Sequence, residues 1–161
     1  MFSIYGSKGL LSNVTLVAPT NVPEGLYTGA AVGIRDSANV TMLNCIFENH
    51  RGHAWGGALT LDRNASAYIK NSKFLNNSAR AAGAVWIKNS GNVTFENNLF
   101  FNNTAVPGSK EPSSVLTSAQ AQQLYRGGAI YMMNQVGSYE CNGCAVRFKG
   151  TNNFTNNYAT L

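Results

Sequence analysis

Over residues 56–103 the apolar positions come in short alternating runs, and the runs repeat. GGALTL, SAYIKN and KFLNN are followed by AGAVWI, NVTFEN and LFFNN, so that Ala58 aligns with Ala84 and Asn76 with Asn102 at 26 residues, and Phe47 with Phe74 at 27. Alternation with a period of two predicts strands, because successive side chains of a strand point to opposite faces. A repeat of 26 to 27 residues, with glycine at one corner and asparagine at another, predicts a solenoid in which each repeat is one coil.

The same register extends along the chain. Residues 2–5 and 13–17 (NVTLV) form a degenerate first copy, and GAAVGI, ANVTMLN and CIFEN give a second coil of strand, corner, strand, corner and short strand. At about residues 104–126 the pattern is broken by TAVPGSKEPSSVLTSAQAQQLYR, in which Pro107, Gly108 and Pro112 mark loop and SAQAQQLY predicts a short helix capped by its serine. GGAIYM resumes the register, a second insertion spans about 134–144, and VRFKGTNNFTNN closes it. The expectation is an all-β parallel β-helix of about five coils, a single domain over residues 1–161.

Alternation assigns the faces. Val32 and Ile34, Leu59 and Leu61, Val85 and Ile87, and Ile130 and Met132 make one inward wall. Val14 and Leu16, Val40 and Met42, Ala67 and Ile69, Val93 and Phe95, and Val146 and Phe148 make a second, and Phe47, Phe74, Phe100 and Phe154 stack as an aromatic column at the third. Asn49, Asn76, Asn102 and Asn156, two residues after each column Phe, are expected to turn a corner as an inward ladder of amides bonded coil to coil, with Asn44, Asn71 and Asn97 doing the same at another corner. The glycines before each GGA strand fit a corner that needs positive φ or leaves no room for a side chain. On the outside, Arg35, Asp62 and Lys88 align, as do Asp36 with Arg63 and Lys70 with Glu96 and Lys149, opposite charges adjoining. Gly33, Thr60, Trp86 and Tyr131 should share one exposed column, and Tyr68 should sit with Thr15, Thr41 and Thr94 on the next face, so Trp86, Tyr131 and Tyr68 are candidate contacts for a glycan or protein partner. The alternative is that the long insertion covers Trp86 and Tyr131.

Composition narrows the chemistry. Charged residues are only 12%, so neutral polar side chains keep the surface wet, and the net charge of +5 is scattered singly rather than interleaved with aromatics as a nucleic-acid groove requires. No apolar run approaches membrane-spanning length, and the start lacks a basic stretch followed by an apolar core. Two Asp and five scattered Glu form no carboxylate pair for acid–base catalysis or calcium. His50 and His53 have no further ligand at metal-binding spacing. Cys141 and Cys144 in a glycine-rich insertion read as a local disulfide rather than a redox pair. Seven Asn-x-Ser/Thr sequons suggest a eukaryotic secretory route, although so Asn-rich a chain also produces them by chance. Asn39, Asn64 and Asn92 are the glycosylation candidates, whereas Asn76 and Asn102, read as inward, are expected to stay bare.

GGAL at residue 56, GGAI at 127, AGAV at 82 and F-x-x-N at Phe74, Phe95, Phe100 and Phe154 resemble the GGA[ILV]/FxxN repeats of polymorphic outer-membrane proteins, bacterial surface adhesins, and of related algal surface proteins. Phe47 departs from the motif, being followed by ENH. The resemblance implies a right-handed parallel β-helix on a surface or in an extracellular assembly, with no catalytic residues to carry over. The chain therefore reads as a non-enzymatic structural or adhesive β-helix that needs no cofactor or metal and packs with other protein subunits. A carbohydrate-binding or polysaccharide-cleaving β-helix is the alternative. TNNFTNNYATL has no amphipathic cap and the start falls mid-strand, so an excerpt of a longer repeat protein, or a subunit stacking end-on, is expected.

Overall fold

The computed structural model describes residues 2–20, 30–52, 55–106, 127–133 and 144–159. Three parallel five-stranded sheets wrap one core. The first contains Phe2–Tyr5, Val32–Arg35, Leu59–Asp62, Val85–Lys88 and Ile130–Met133. The second contains Lys8–Ser12, Asn39–Leu43, Ser66–Lys70, Asn92–Glu96 and Ala145–Lys149; the third contains Thr15–Val17, Ile46–Glu48, Lys73–Leu75, Leu99–Phe101 and Asn153–Thr155. Every strand pairs with its equivalent in the next coil, such as Phe74 with Phe100 and Phe100 with Phe154. The inward residues Ile34, Leu61, Val40, Met42, Ile69, Val93, Phe95, Phe47, Phe74 and Phe100 are fully buried. At about 1.5 to 3 kcal/mol for each large apolar side chain removed from water, these walls supply the main drive to fold.

Of four sequence expectations, three change and one falls outside the described residues. Lys8–Ser12, not residues 13–17, is the first strand of the second sheet: Gly9 and Leu11 stand against Val40 and Met42. Leu16 therefore heads the aromatic column, opposite Phe47, and Leu10 rather than Thr15 shares the Thr41, Tyr68 and Thr94 column. Second, the walls number more than three, because a short fourth sheet pairs Ser78–Ala79 with Thr104–Ala105 and these with Tyr158–Ala159. Thr104 and Ala105 consequently belong to the coil and not to the insertion. Third, the helix expected within residues 107–126 lies outside the described residues, among which there is no helix. The fourth expectation, on the asparagines, does change.

Asn44, Asn71 and Asn97, with Asn13, all have φ between 52° and 56°, and Gly150 takes over that corner in the last coil. Asn49, Asn76, Asn102 and Asn156 do the same at the next corner, with φ of 53° to 61°. Left-handed backbone costs most residues about 1 to 2 kcal/mol, and Asn bears it best after Gly. Asn102 Nδ2 also donates to Asn76 Oδ1 at 2.8 Å, as coil-to-coil bonding requires. These corner residues are not inward, however: Asn76, Asn102 and Asn156 are exposed and Asn49 is half-buried. A left-handed residue breaks the alternation of the strand before it, so the side chain two past Phe swings out and the one three past Phe turns in. Asn77 and Asn103 are the buried ones.

The GGA corner is explained by crowding. Gly57 and Gly83 are not at positive φ, but a Cβ on Gly57 would collide with the carbonyl oxygen of Gly83, and one on Gly83 with that of Gly128. The charge columns hold as expected, with Arg63 3.3 Å from Asp36 and Lys70 2.8 Å from Glu96. They report the register more than they stabilise it, since exposed pairs contribute at most about 1 kcal/mol.

Candidate functional site

Asn77, Asn103 and Asn157 form a hydrogen-bonded column through three successive coils. Asn77 Oδ1 accepts the backbone N–H of His50 (3.0 Å), and Asn103 Oδ1 accepts the backbone N–H and an Nδ2 proton of Asn77 (3.1 and 3.0 Å). Asn157 Oδ1 accepts the same two from Asn103 (3.0 and 2.9 Å). In the other direction Nδ2 of Asn77, Asn103 and Asn157 donates to the carbonyls of Phe47, Phe74 and Phe100 (3.0, 2.9 and 2.8 Å). A second column stands one corner earlier. Ser72 Oγ accepts the Cys45 N–H (3.1 Å), Asn98 Oδ1 accepts the Ser72 N–H (2.8 Å), and Asn152 Oδ1 accepts the N–H and Nδ2 of Asn98 (3.0 and 3.2 Å). Both columns satisfy backbone groups that the corners would otherwise bury unpaired.

At the N-terminal end the columns stop. His50 occupies the position that Asn77 and Asn103 hold in later coils, and its Nε2 donates to Leu16 O at 3.0 Å, where the asparagines donate to a Phe carbonyl. By the pairing of Thr15–Val17 with Ile46–Glu48, and the bond from Ala18 N–H to Glu48 O, the next position is Pro19, which has no N–H to place. In the other column Cys45 and then Val14 replace the amides.

Burial holds the His50 imidazole below the ordinary value of 6.5, although its bond to Leu16 pulls the other way. An unfolded chain thus takes up a proton that the folded one resists, so stability present above pH 6.5 is lost as the pH falls below it. His50→Asn supplies the ladder side chain, and we expect it to be at least as stable near pH 7. Its urea midpoint should fall less than that of the parent between about pH 7 and 5. A parallel fall in both would place the titration elsewhere.

The last described coil carries the columns to Asn152 and Asn157. Met132, Phe148, Phe154 and Tyr158 are about half exposed, although the first three continue inward walls. Phe154 stacks on Phe100 (4.7 Å, 2°) and Phe148 on Phe95 (5.4 Å, 15°), and Phe148 meets Phe154 edge-on (5.9 Å, 72°) just as buried Phe95 meets Phe100 (5.7 Å, 70°). Phe148 and Phe154 thus repeat the aromatic pair that Phe95 and Phe100 form in the coil before them. Among the described residues no acceptor meets the backbone N–H of Asn152 or Asn157, the two groups that the next amides of each column would receive.

Other sequence candidates are placed differently. Trp86 is only 4% exposed, Thr60 is buried and Tyr131 half-buried, so the expected exposed column is covered. Trp55 stacks on Trp86 (4.9 Å), and Ala81 and Ala82 pack with them against the outside of the first sheet. Tyr68 is half-buried and its hydroxyl donates to Glu96 Oε2 at 2.7 Å. Hydrogen bonds from Lys70 and then Tyr68 hold the Glu96 carboxyl below its usual range. Asn39, Asn64 and Asn92 are exposed; so are Asn76 and Asn102, which removes the reason for expecting those two to stay bare. Cys45 is free and buried, and Cys144 is disulfide-bonded, while Cys141 and His53 lie outside the described residues. Among the described residues no group of three or more His, Cys, Asp or Glu could hold a metal ion, and no helix is long and apolar enough to cross a membrane.

Alternation pointed to the wrong asparagine at each corner, yet the signal was present. In F-x-x-N the Asn is three residues after Phe, at Asn77, Asn98, Asn103 and Asn157, and His50 is its substitute after Phe47. No curated protein and no solved structure matches the chain. The right-handed β-helix region, as a family, matches residues 2–160, the whole span in which these coils lie. With its parallel sheets, stacked walls and amide columns, the chain belongs to the right-handed β-helix family.

Proposed function

We propose that this chain is a non-enzymatic structural or adhesive β-helix of a cell-surface or extracellular assembly, packing with other proteins. The observation that carries this reading is the outer surface of the sheets, where most of the described carboxylates are taken up by neighbouring cations and hydroxyls. Among the described residues Asp36 is engaged with Arg63, Asp62 with the Arg63 N–H, and Glu96 with Lys70 and Tyr68, which leaves Glu48 as the carboxylate without a partner. A general acid or nucleophile needs a carboxyl free to meet substrate. Exposed Asn39, Asn64 and Asn92 suit a secreted, glycosylated surface.

Sedimentation of the chain should show concentration-dependent association. A monomer at every concentration would count against the reading. Carbohydrate binding is the second reading, favoured by Trp86 Nε1 and Thr60 Oγ1, which are buried without a hydrogen-bond partner among the described residues, near Tyr131. A glycan array combined with a lyase and hydrolase screen separates the two, since sugar binding abolished by Trp86→Ala would support the second.

A further inference from the structure

We infer that the outer side of the third sheet is where two copies of this chain pair, side by side about a two-fold axis running along the solenoid. This rests on the assembly reading above and names the partner, a second copy, and the surface it meets. The outer sides of the three sheets differ in what they leave unsatisfied. On the first, Trp86 is stacked under Trp55 and packed with Ala81 and Ala82. On the second, Lys70 pairs with Glu96 and the Tyr68 hydroxyl donates to the same carboxylate. On the third, alternation turns apolar side chains outward: Ile46, Leu75 and Leu99 are half-buried and Phe101 is 38% exposed.

The exposed corner residues Asn71 and Asn97 border this strip on one side, and Asn76 and Asn102 on the other. An apolar centre with a polar rim is the anatomy of a protein interface. The same strip holds Glu48 and Lys73, neither of which has a charged partner among the described residues. Lys73 stands between Ile46 and Leu99, and Leu75 between Glu48 and Phe101. The surface is thus two columns, Ile46–Lys73–Leu99 and Glu48–Leu75–Phe101, with opposite charges on adjacent strands and in different columns.

A two-fold axis along the solenoid lays each column over the other column of the partner. Leu99 then faces the partner's Phe101. Glu48 comes within one strand spacing, about 4.8 Å along the axis, of the partner's Lys73, and symmetry makes that pair twice. An axis across the strands, centred on Lys73 and Leu75, would set Lys73 against its own copy. A wholly apolar partner would cover both charges and leave them unpaired, which costs more than self-pairing does. The strands here are three residues long, so the contact falls at the low end of specific interfaces, below about 1,200 Å² in all, and the pairing is weak.

Sedimentation equilibrium at concentrations up to about 1 mM should show a monomer–dimer equilibrium. Glu48→Lys and Lys73→Glu should each weaken the dimer at least about tenfold, because each sets like charges together twice. Mixed in equal amounts, the two variants should pair with one another as the parent pairs with itself, since each supplies the charge that the other lacks. Phe101→Lys should weaken the dimer to a similar degree. The three substitutions are on the outer side of the sheet, so urea midpoints close to the parent's would show that folding is unaffected. If the parent associates but the mixture recovers nothing, or if the charge reversals or Phe101→Lys leave the dimer as strong as before, the inference is overturned, and the assembly reading stands on another surface. A parent that is monomeric throughout overturns both.

Discussion

Phe100→Ala is expected to destabilise the protein by about 3 to 5 kcal/mol, and Phe74→Ala by a similar amount. Each ring is fully buried and sandwiched: Phe74 lies 5.0 Å from Phe47 and 4.8 Å from Phe100, and Phe100 is a further 4.7 Å from Phe154. Removing either leaves a cavity that cannot close without shortening the spacing between coils, and that spacing is held by three sheets at once. Phe154→Ala removes the same atoms from a ring that is 46% exposed, so its cost should be less than half as great. Thr41→Ala, on the outer side of the second sheet, should be nearly silent. Urea denaturation of the four variants orders them, and equal losses would mean that the walls do not carry the stability.

Asn103→Ala should rival the aromatic substitutions although no cavity of similar size results. It deprives the Asn77 backbone N–H of its acceptor and the Phe74 carbonyl of its donor, both in fully buried residues. At about 1 to 3 kcal/mol for each buried group left unpaired, the loss is about 2 to 6 kcal/mol. Asn103→Asp separates the two roles: it keeps the acceptor but turns a carboxylate oxygen toward Phe74 O and Asn157 Oδ1, so its stability should worsen as the pH rises above the carboxyl range. Asn102→Ala, one residue away, loses only an exposed amide bond and the ease of a left-handed backbone, about 1 kcal/mol. Denaturation midpoints for Asn102→Ala and Asn103→Ala test the outward and inward assignment directly, because an inward Asn102 would reverse their order.

Most of the fold was legible because its periods are short and mutually consistent. Alternation placed Val32 and Ile34, Val40 and Met42, and the Phe47, Phe74 and Phe100 column on the inside, where they are buried. It failed wherever the backbone leaves the strand. At the asparagine doublets the left-handed residue shifts the parity by one, which sent the ladder to Asn76 and Asn102 instead of Asn77 and Asn103. In the first coil Gly9 and Leu16 stand where later coils have Val or Ala and Phe, so the composition signal was too weak to fix which run belonged to which sheet. Trp86 is outward in strand parity and buried in fact, because parity says nothing of what a neighbouring corner lays over it.

The amide columns also set where this chain can change length. The corner carrying Cys45, Ser72 and Asn98 spans the same short interval in three coils, Leu43 to Ile46, Lys70 to Lys73 and Glu96 to Leu99, and its one lengthening, Lys149 to Asn153, moves the amide along to Asn152 so that the bond is kept. The corners without an amide column show no such discipline. The interval between first and second sheets is Lys88 to Asn92 in one coil and Met133 to Ala145 in the next, and that between the fourth strand and the following coil grows from Ala79–Val85 to Ala105–Ile130. Two corners of this chain thus hold long added segments, whereas the amide corners lengthen by one residue at most. A loop grafted for engineering belongs where the backbone answers to no neighbour's side chain.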